Sequence, residues 1–266
     1  MRPMDTVKPL VAVEVKGRTG ILTLDNFQKR NALSAELIED LCTALTRLRL
    51  EEVRAVILRA QAGTKVFSAG HDMHELPTNG RDPLTYNDPL RRAVREIDQF
   101  PAPVIAMVEG SVWGGACELV MSCDLIVAGE DTTFAVTPAK LSVPYNISGV
   151  QNFLNAGGLQ LCKEMLFTAQ PMPVVRLLQL GLVSYAVPRA ELEPLAMGMA
   201  AQIAQNSPLV VSLLKEELRL LAIRHNLGPE TFERVQAMRR DIYDSEDYQE
   251  GIRSFFEKRK PEFRGR

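Results

Sequence analysis

The 266-residue chain predicts an α/β fold of parallel strands joined by helical crossovers, ending in a helical C-terminal region. Three observations carry that reading. Short apolar runs of strand type recur, each giving way to a turn and then to apolar residues at helical spacing, a repeat that calls for parallel pairing. One of these junctions is marked by a glycine pair, Gly114 and Gly115. Beyond residue 147 strand-type runs nearly vanish, and amphipathic helical stripes take their place.

The elements follow in order. Residues 11–15 and 20–24 flank a glycine-bounded turn and read as a β-hairpin. Ser34, at the end of KRNALS, suits the N-cap of a helix reaching about Arg49, with Leu37, Ile38, Leu41, Leu45 and Leu48 on one face. Residues 53–60 form a buried strand and 66–68 a short one. Between residues 77 and 89 the composition turns to Pro, Gly, Asn and Asp, which predicts a mobile loop near the mouth of a site. A basic amphipathic helix over 90–100 is stopped by Pro101 and Pro103. The apolar run 104–108 breaks at Glu109 and Gly110, and the glycine pair then opens a helix carrying Leu119, Val120 and Cys123. Strands are expected over 125–128, 133–136 and 183–187. Three last helices are expected over 208 to about 224, 229 to about 243, and 245–258. Their apolar stripes, with Leu214, Leu218, Leu221 and Phe255 among them, exceed what a terminal cap needs.

Composition narrows the function classes. With 46% hydrophobic and 24% charged residues the chain can bury a large core. Its formal net charge of -2 gives no global pull toward nucleic acid or an anionic membrane, so any polyanion site must be local. The four cysteines lack metal-ligand spacing and mostly lie in apolar contexts, which suits reduced core thiols in the cytoplasm. The start has neither a signal-type apolar core nor the composition of a transit peptide, and no run approaches the ~18 apolar residues of a membrane span.

Candidate chemistry sits at two strand ends. Gly115 begins a helix, so bare N–H groups point outward, and the missing side chain lets a ligand approach the peptide. The second corner is VFSAGHDMHEL, residues 66–76, where a strand runs into small residues before His71. Two such corners, each offering one N–H, are the minimum for an oxyanion hole. His74 and Glu75 suit a solvated turn better than a metal site, having no third ligand in suitable spacing.

Together FSAGHDMHEL and EGSVWGGACEL, with KRNALS, GLVSYAVP and FFEKRKPEF, resemble the crotonase superfamily, the enoyl-CoA hydratase/isomerase family, over nearly the whole chain. The resemblance implies a spiral of ββα turns over residues 1–200 with an acyl-CoA site, and a helical region over 201–266 that packs protomers into homotrimers or homohexamers. It implies that the N–H groups of His71 and Gly115 hold a thioester oxygen. Further contacts to the acyl-CoA substrate are implied at Ala69, Gly70, Asp72, Met73 and Thr137. A lysine at the place of Lys258 would reach coenzyme A, with Lys29 and Arg30 as weaker candidates for that role.

The reaction depends on what surrounds the acyl group. Hydratases of the family use two glutamates. The first matches Glu118, but where the second belongs the chain reads TPAK, with Ala139 after Pro138, so water addition loses half of its acid/base pair. NGRDPL, TPAKLSVPYN and YDSEDYQEG resemble instead the branch of the family that decarboxylates methylmalonyl-CoA. That likeness implies loss of carbon dioxide from methylmalonyl-CoA or a close alkylmalonyl-CoA, with Tyr145 orienting the malonyl carboxylate. No cofactor is implied beyond the coenzyme A of the substrate, because the thioester itself takes up the electron pair. Taken alone, Tyr145 also suits a core tyrosine with a satisfied hydroxyl, and Glu118 suits either a retained acid or a hydrogen-bonded helix residue. An isomerase or single-acid hydratase using Glu118 and a non-catalytic acyl-CoA binder remain open on the same residues.

Overall fold

The computed structural model describes residues 8–76, 88–222 and 229–265. Residues 77–87 of the expected mobile loop, with the NGRDPL motif, residues 223–224 of the expected helix from Pro208, and the first seven residues lie outside them.

The hairpin forms as predicted, β1 (Val11–Lys16) pairing antiparallel with β2 (Thr19–Leu24). Helix α1 (Ala35–Leu50) starts where Ser34 Oγ accepts the Leu37 N–H. Strands β3 (Ala55–Ala60) and β4 (Val66–Ser68) follow. Helix α2 (Pro89–Asp98) is capped by Asp88, which accepts the Arg91 N–H. Next come β5 (Val104–Val108), β6 (Ser111–Trp113) and α3 (Gly115–Met121). Strands β7 (Leu125–Gly129) and β8 (Thr133–Ala135) lead through a 3-10 turn, Pro138–Leu141, into α4 (Ile147–Thr168), which breaks at Gly158. The rest comprises β9 (Met172–Pro173), α5 (Val174–Gln179), β10 (Tyr185–Val187), α6 (Arg189–Gln205), α7 (Pro208–Ala222), α8 (Pro229–Tyr243) and α9 (Glu246–Phe256).

Two sheets organise these pieces. The larger has the order β1-β2-β3-β5-β7-β10 and is parallel from β2 onward. The smaller has the order β4-β6-β8-β9 and is parallel through β8. From β3 to α4 each coil of the chain therefore places one strand in the large sheet and the next in the small sheet before a helix returns it, whereas the first coil puts both β1 and β2 in the large sheet. This is the expected spiral of ββα turns.

Period-two alternation divides the core. Val56 and Leu58 of β3 face the main core with α1, α2 and α3, whereas Ala55 and Ile57 face the other side, against Leu192, Ala196 and Ala200 of α6. All four cysteines are buried and unpaired. Among the described residues no helix is long and apolar enough to cross a membrane.

Three details differ from expectation. β10 begins at Tyr185 rather than Val183, because the Val183 N–H closes the end of α5 on Leu177 O at 3.3 Å. β3 begins at Ala55 rather than Val53, the Arg54 N–H bonding outside the strand to Arg18 O. The three-residue β6 was not expected from its sequence. It is the strand that places the glycine pair beside β4.

Candidate active site

The two corners foreseen in the sequence are neighbours because β4 and β6 pair in parallel, so both chains leave the small sheet at the same end. After β4 the backbone turns at Gly70, whose φ of 82° belongs to the left-handed region. A side chain at Gly70 would collide with Trp113 O, and its β-carbon would lie 3.2 Å from Gly115 N. After β6, Gly114 takes a φ of 51° and donates its N–H to Ala135 O at 2.8 Å. Gly115 then starts α3, and a β-carbon there would lie 3.8 Å from His71 N. Among the described residues, neither the His71 nor the Gly115 N–H has a hydrogen-bond acceptor. Two unengaged amides thus share one corner of a cavity, as an oxyanion would need.

That cavity encloses about 730 Å³ and is mostly apolar, with Leu90, Trp113, Pro138, Leu141, Val143 and Phe255 among its walls. Of the residues foreseen, Ala69, His71, Asp72, Met73, Gly115, Thr137 and Tyr145 line it. Gly70 shapes the turn without lining the cavity. Lys258 is exposed just beyond α9 and is not among the lining residues, whereas Lys29 and Arg30 are. Val112 and Val136, close by in sequence, are buried in the core and do not line it.

Asp72 is held at the cavity edge. Burial raises its carboxyl, but the His74 N–H at 3.0 Å, the His74 ring at 2.9 Å and Lys29 at 3.9 Å outweigh this, and it titrates below the usual range. Glu75 accepts the Ala35 N–H at 2.9 Å, so the turn braces the start of α1. His71 Nδ1 is buried with no hydrogen-bond partner among the described residues.

Sequence reasoning missed a buried pair. Glu118, 1% exposed, accepts the Tyr145 hydroxyl at 2.9 Å on Oε2 and the Asn152 amide at 3.3 Å on Oε1. Burial drives its carboxyl up to about 7 against the opposing pull of those two donors. Burial, and then the charge of Glu118, push the Tyr145 phenol well above its ordinary value. The available signals were a glutamate on the first turn of α3 and a tyrosine just before the Asn146 cap of α4. Nothing in their spacing told that they meet.

A family model for enoyl-CoA hydratase/isomerase matches residues 15–266. The methylmalonyl-CoA decarboxylase of Escherichia coli K12 is 49% identical over 255 residues, 96% of this chain and 98% of that protein. A probable mitochondrial enoyl-CoA hydratase of Dictyostelium discoideum is 33% identical, over 93% of this chain and 88% of its own. A solved structure of methylmalonyl-CoA decarboxylase in complex with 2-nitronate-propionyl-CoA superposes with a TM-score of 0.95 at 49% identity, covering 97% of this chain and 99% of the other. Likeness over the full length, on a spiral that sets two free amides side by side, means that this chain belongs to the enoyl-CoA hydratase/isomerase family.

Proposed function

We propose that the protein decarboxylates methylmalonyl-CoA, or a close alkylmalonyl-CoA, to propionyl-CoA or its homologue. The observation that carries this is the pair of unengaged amides of His71 and Gly115 at one end of an apolar cavity that also holds a tyrosine hydroxyl. Ala139, standing where a hydratase carries its second acid, supports it further. So does the half-identical methylmalonyl-CoA decarboxylase.

In this reading the thioester oxygen accepts both N–H bonds, each worth ~3 kcal/mol to a developing oxyanion. Tyr145, with Thr137 nearby, turns the malonyl carboxylate out of the thioester plane, so that the breaking C–C bond overlaps the carbonyl π system. The electron pair of that bond passes into the thioester, carbon dioxide leaves, and the resulting enolate takes up one proton. Trp113, Pro138 and Val143 offer the carboxylate little solvation, which favours the charge-dispersed transition state. Ala69, Gly70, Asp72 and Met73 shape the turn beside the thioester. Lys29, Arg30 and Lys258 supply local cations for the coenzyme A phosphates, and the chemistry needs no further cofactor. We read residues 1–200 as the catalytic core and 201–266 as the region that joins protomers into a homotrimer or homohexamer. The four free thiols suit a reducing cytoplasm.

The test compares carbon dioxide release from methylmalonyl-CoA with the absorbance change on crotonyl-CoA. Release of carbon dioxide is expected; activity confined to crotonyl-CoA would replace this reading with a hydratase using Glu118.

A further inference from the structure

Behind the acyl cavity lies a second one, of about 440 Å³, between α2, α3, α4 and α7. It reaches the surface past Asn155 and Ala222, both exposed. Its walls mix apolar side chains with polar ones, Arg91, Arg95, Ser148 and Asn152 among the latter. Among the described residues Glu118 alone lines both cavities. Tyr145, on its Oε2, faces the acyl side; Asn152, on its Oε1, faces the far side. The carboxyl is therefore the thin point of a wall between the acyl chamber and the second cavity.

The enolate left by decarboxylation needs a proton, and the Tyr145 hydroxyl on the wall of the acyl chamber is already bonded to a buried carboxyl. We propose that Glu118 is the proton reservoir of this reaction, loaded from solvent through the second cavity and emptied through the Tyr145 hydroxyl onto the enolate carbon. This rests on the decarboxylase reading above. The hydrogen bonds allow it without rearrangement. When Glu118 is neutral, Oε1 remains the acceptor for Asn152, the proton on Oε2 donates to the Tyr145 oxygen, and the phenolic hydrogen is released toward the acyl group. After carbon dioxide departs, Tyr145 gives that hydrogen to the carbon and takes the one on Glu118. The carboxylate then recovers a proton from water in the second cavity. One solvent proton is consumed per turnover, and the pair returns to its starting state.

The groups around the carboxyl suit such a reservoir. From the start of α2, the cap residue Asp88 raises its affinity for a proton and Arg91 lowers it; from α4 and the segment before it, Asn152 and Tyr145 lower it as donors. Arg91 is steered to the far side by Ser148 Oγ at 2.9 Å, and Asp88 is itself influenced by His71. A carboxyl titrating at about 7 under these influences can both hold and yield its proton near neutrality.

The test runs the reaction on methylmalonyl-CoA in deuterium oxide and reads the configuration of the label at Cα of propionyl-CoA, alongside the pH profile. The parent enzyme should give one configuration, with kcat falling as pH rises through about 7. Glu118→Gln should give both configurations and lose that alkaline limb. Asn155→Trp, at the mouth of the second cavity, should slow turnover several-fold in the parent and not in the Glu118→Gln background, whereas a merely structural disturbance would slow both. A single configuration and an unchanged limb in Glu118→Gln, or equal effects of Asn155→Trp in both backgrounds, would overturn the relay. A parent that releases carbon dioxide but already gives both configurations overturns the relay alone; one that releases none overturns the decarboxylase reading beneath it.

Discussion

A β-carbon at Gly149 would lie 2.8 Å from Glu118 Oε2 and 2.9 Å from Tyr145 Cδ1, so the first turn of α4 leaves room for the acid–phenol pair only because that residue is glycine. Gly149→Ala should push Tyr145 aside and lower kcat at least tenfold, with a smaller change in KM, measured by steady-state kinetics. Tyr145→Phe keeps the ring, and its T-shaped contact with Phe153, but loses the hydroxyl. It should slow decarboxylation about 100-fold, the scale of one lost proton-transfer group, while propionyl-CoA binding by calorimetry stays within about twofold. Equal rates for mutant and parent would remove Tyr145 from the mechanism. Glu118 also carries a stability signature. Its folded value of about 7 is raised above the ordinary 4.5, so its ionised form is the costly one in the fold. Its contribution is full below about 4.5 and is lost as pH rises through about 7. Glu118→Gln should therefore raise the melting temperature more at pH 8 than at pH 5, relative to the parent. The amide corner was legible from glycines at strand ends, because backbone conformation leaves a local mark. The Glu118–Tyr145 bond spans 27 residues and joins two helix starts, and left none.

Among the elements, α7 is tied to the core through Lys215. Lys215 Nζ donates to Ile97 O at 3.0 Å, Ala102 O at 3.3 Å and Asp124 Oδ2 at 2.7 Å, closing the end of α2, the turn into β5 and the turn into β7. Asp124 also accepts the Val104 N–H at 2.7 Å. Burial raises its carboxyl even with Lys215 beside it, so removing the lysine alone strands a partly desolvated acid. Lys215→Met should destabilise the protein by about 2–3 kcal/mol in urea titration, a discounted value for a pair that is not wholly buried. Adding Asp124→Asn should recover part of that loss. Long helices such as α1 were legible from their caps and stripes. The three-residue β6 and two-residue β9 were not, since periodicity needs more residues than either has, and the neighbouring strand alone makes them extended.

For the whole molecule, the C-terminal region is more than an appendage. Gly251 of α9 packs so closely on Leu141 O that any side chain there would strike it, and Phe255 forms part of the acyl cavity wall. The same region leaves Leu209, Leu213, Leu218, Leu220 and Leu221 of α7 more than half exposed, a density of apolar side chains that suits a protein–protein interface. Sedimentation equilibrium should give the mass of a trimer or hexamer, and Leu213→Glu with Leu220→Glu should lower it. Monomers in the parent would remove the proposed assembly. The repeating coil was legible as a repeat of strand, turn and helix, but its division into two sheets was not. That division depends on which short strands find each other once the chain has coiled.

The pairing of β4 with β6 has one more consequence. Adjacent strands stand ~4.8 Å apart wherever backbones pair, so the interval between the two amides is inherited from the sheet and owes nothing to side chains. Replacing Thr137, Ala139 or Tyr145 would leave that grip on a carbonyl intact while altering the reaction performed beside it. Such a scaffold can exchange one chemistry for another by a handful of point changes, with no new means of holding the substrate to be invented.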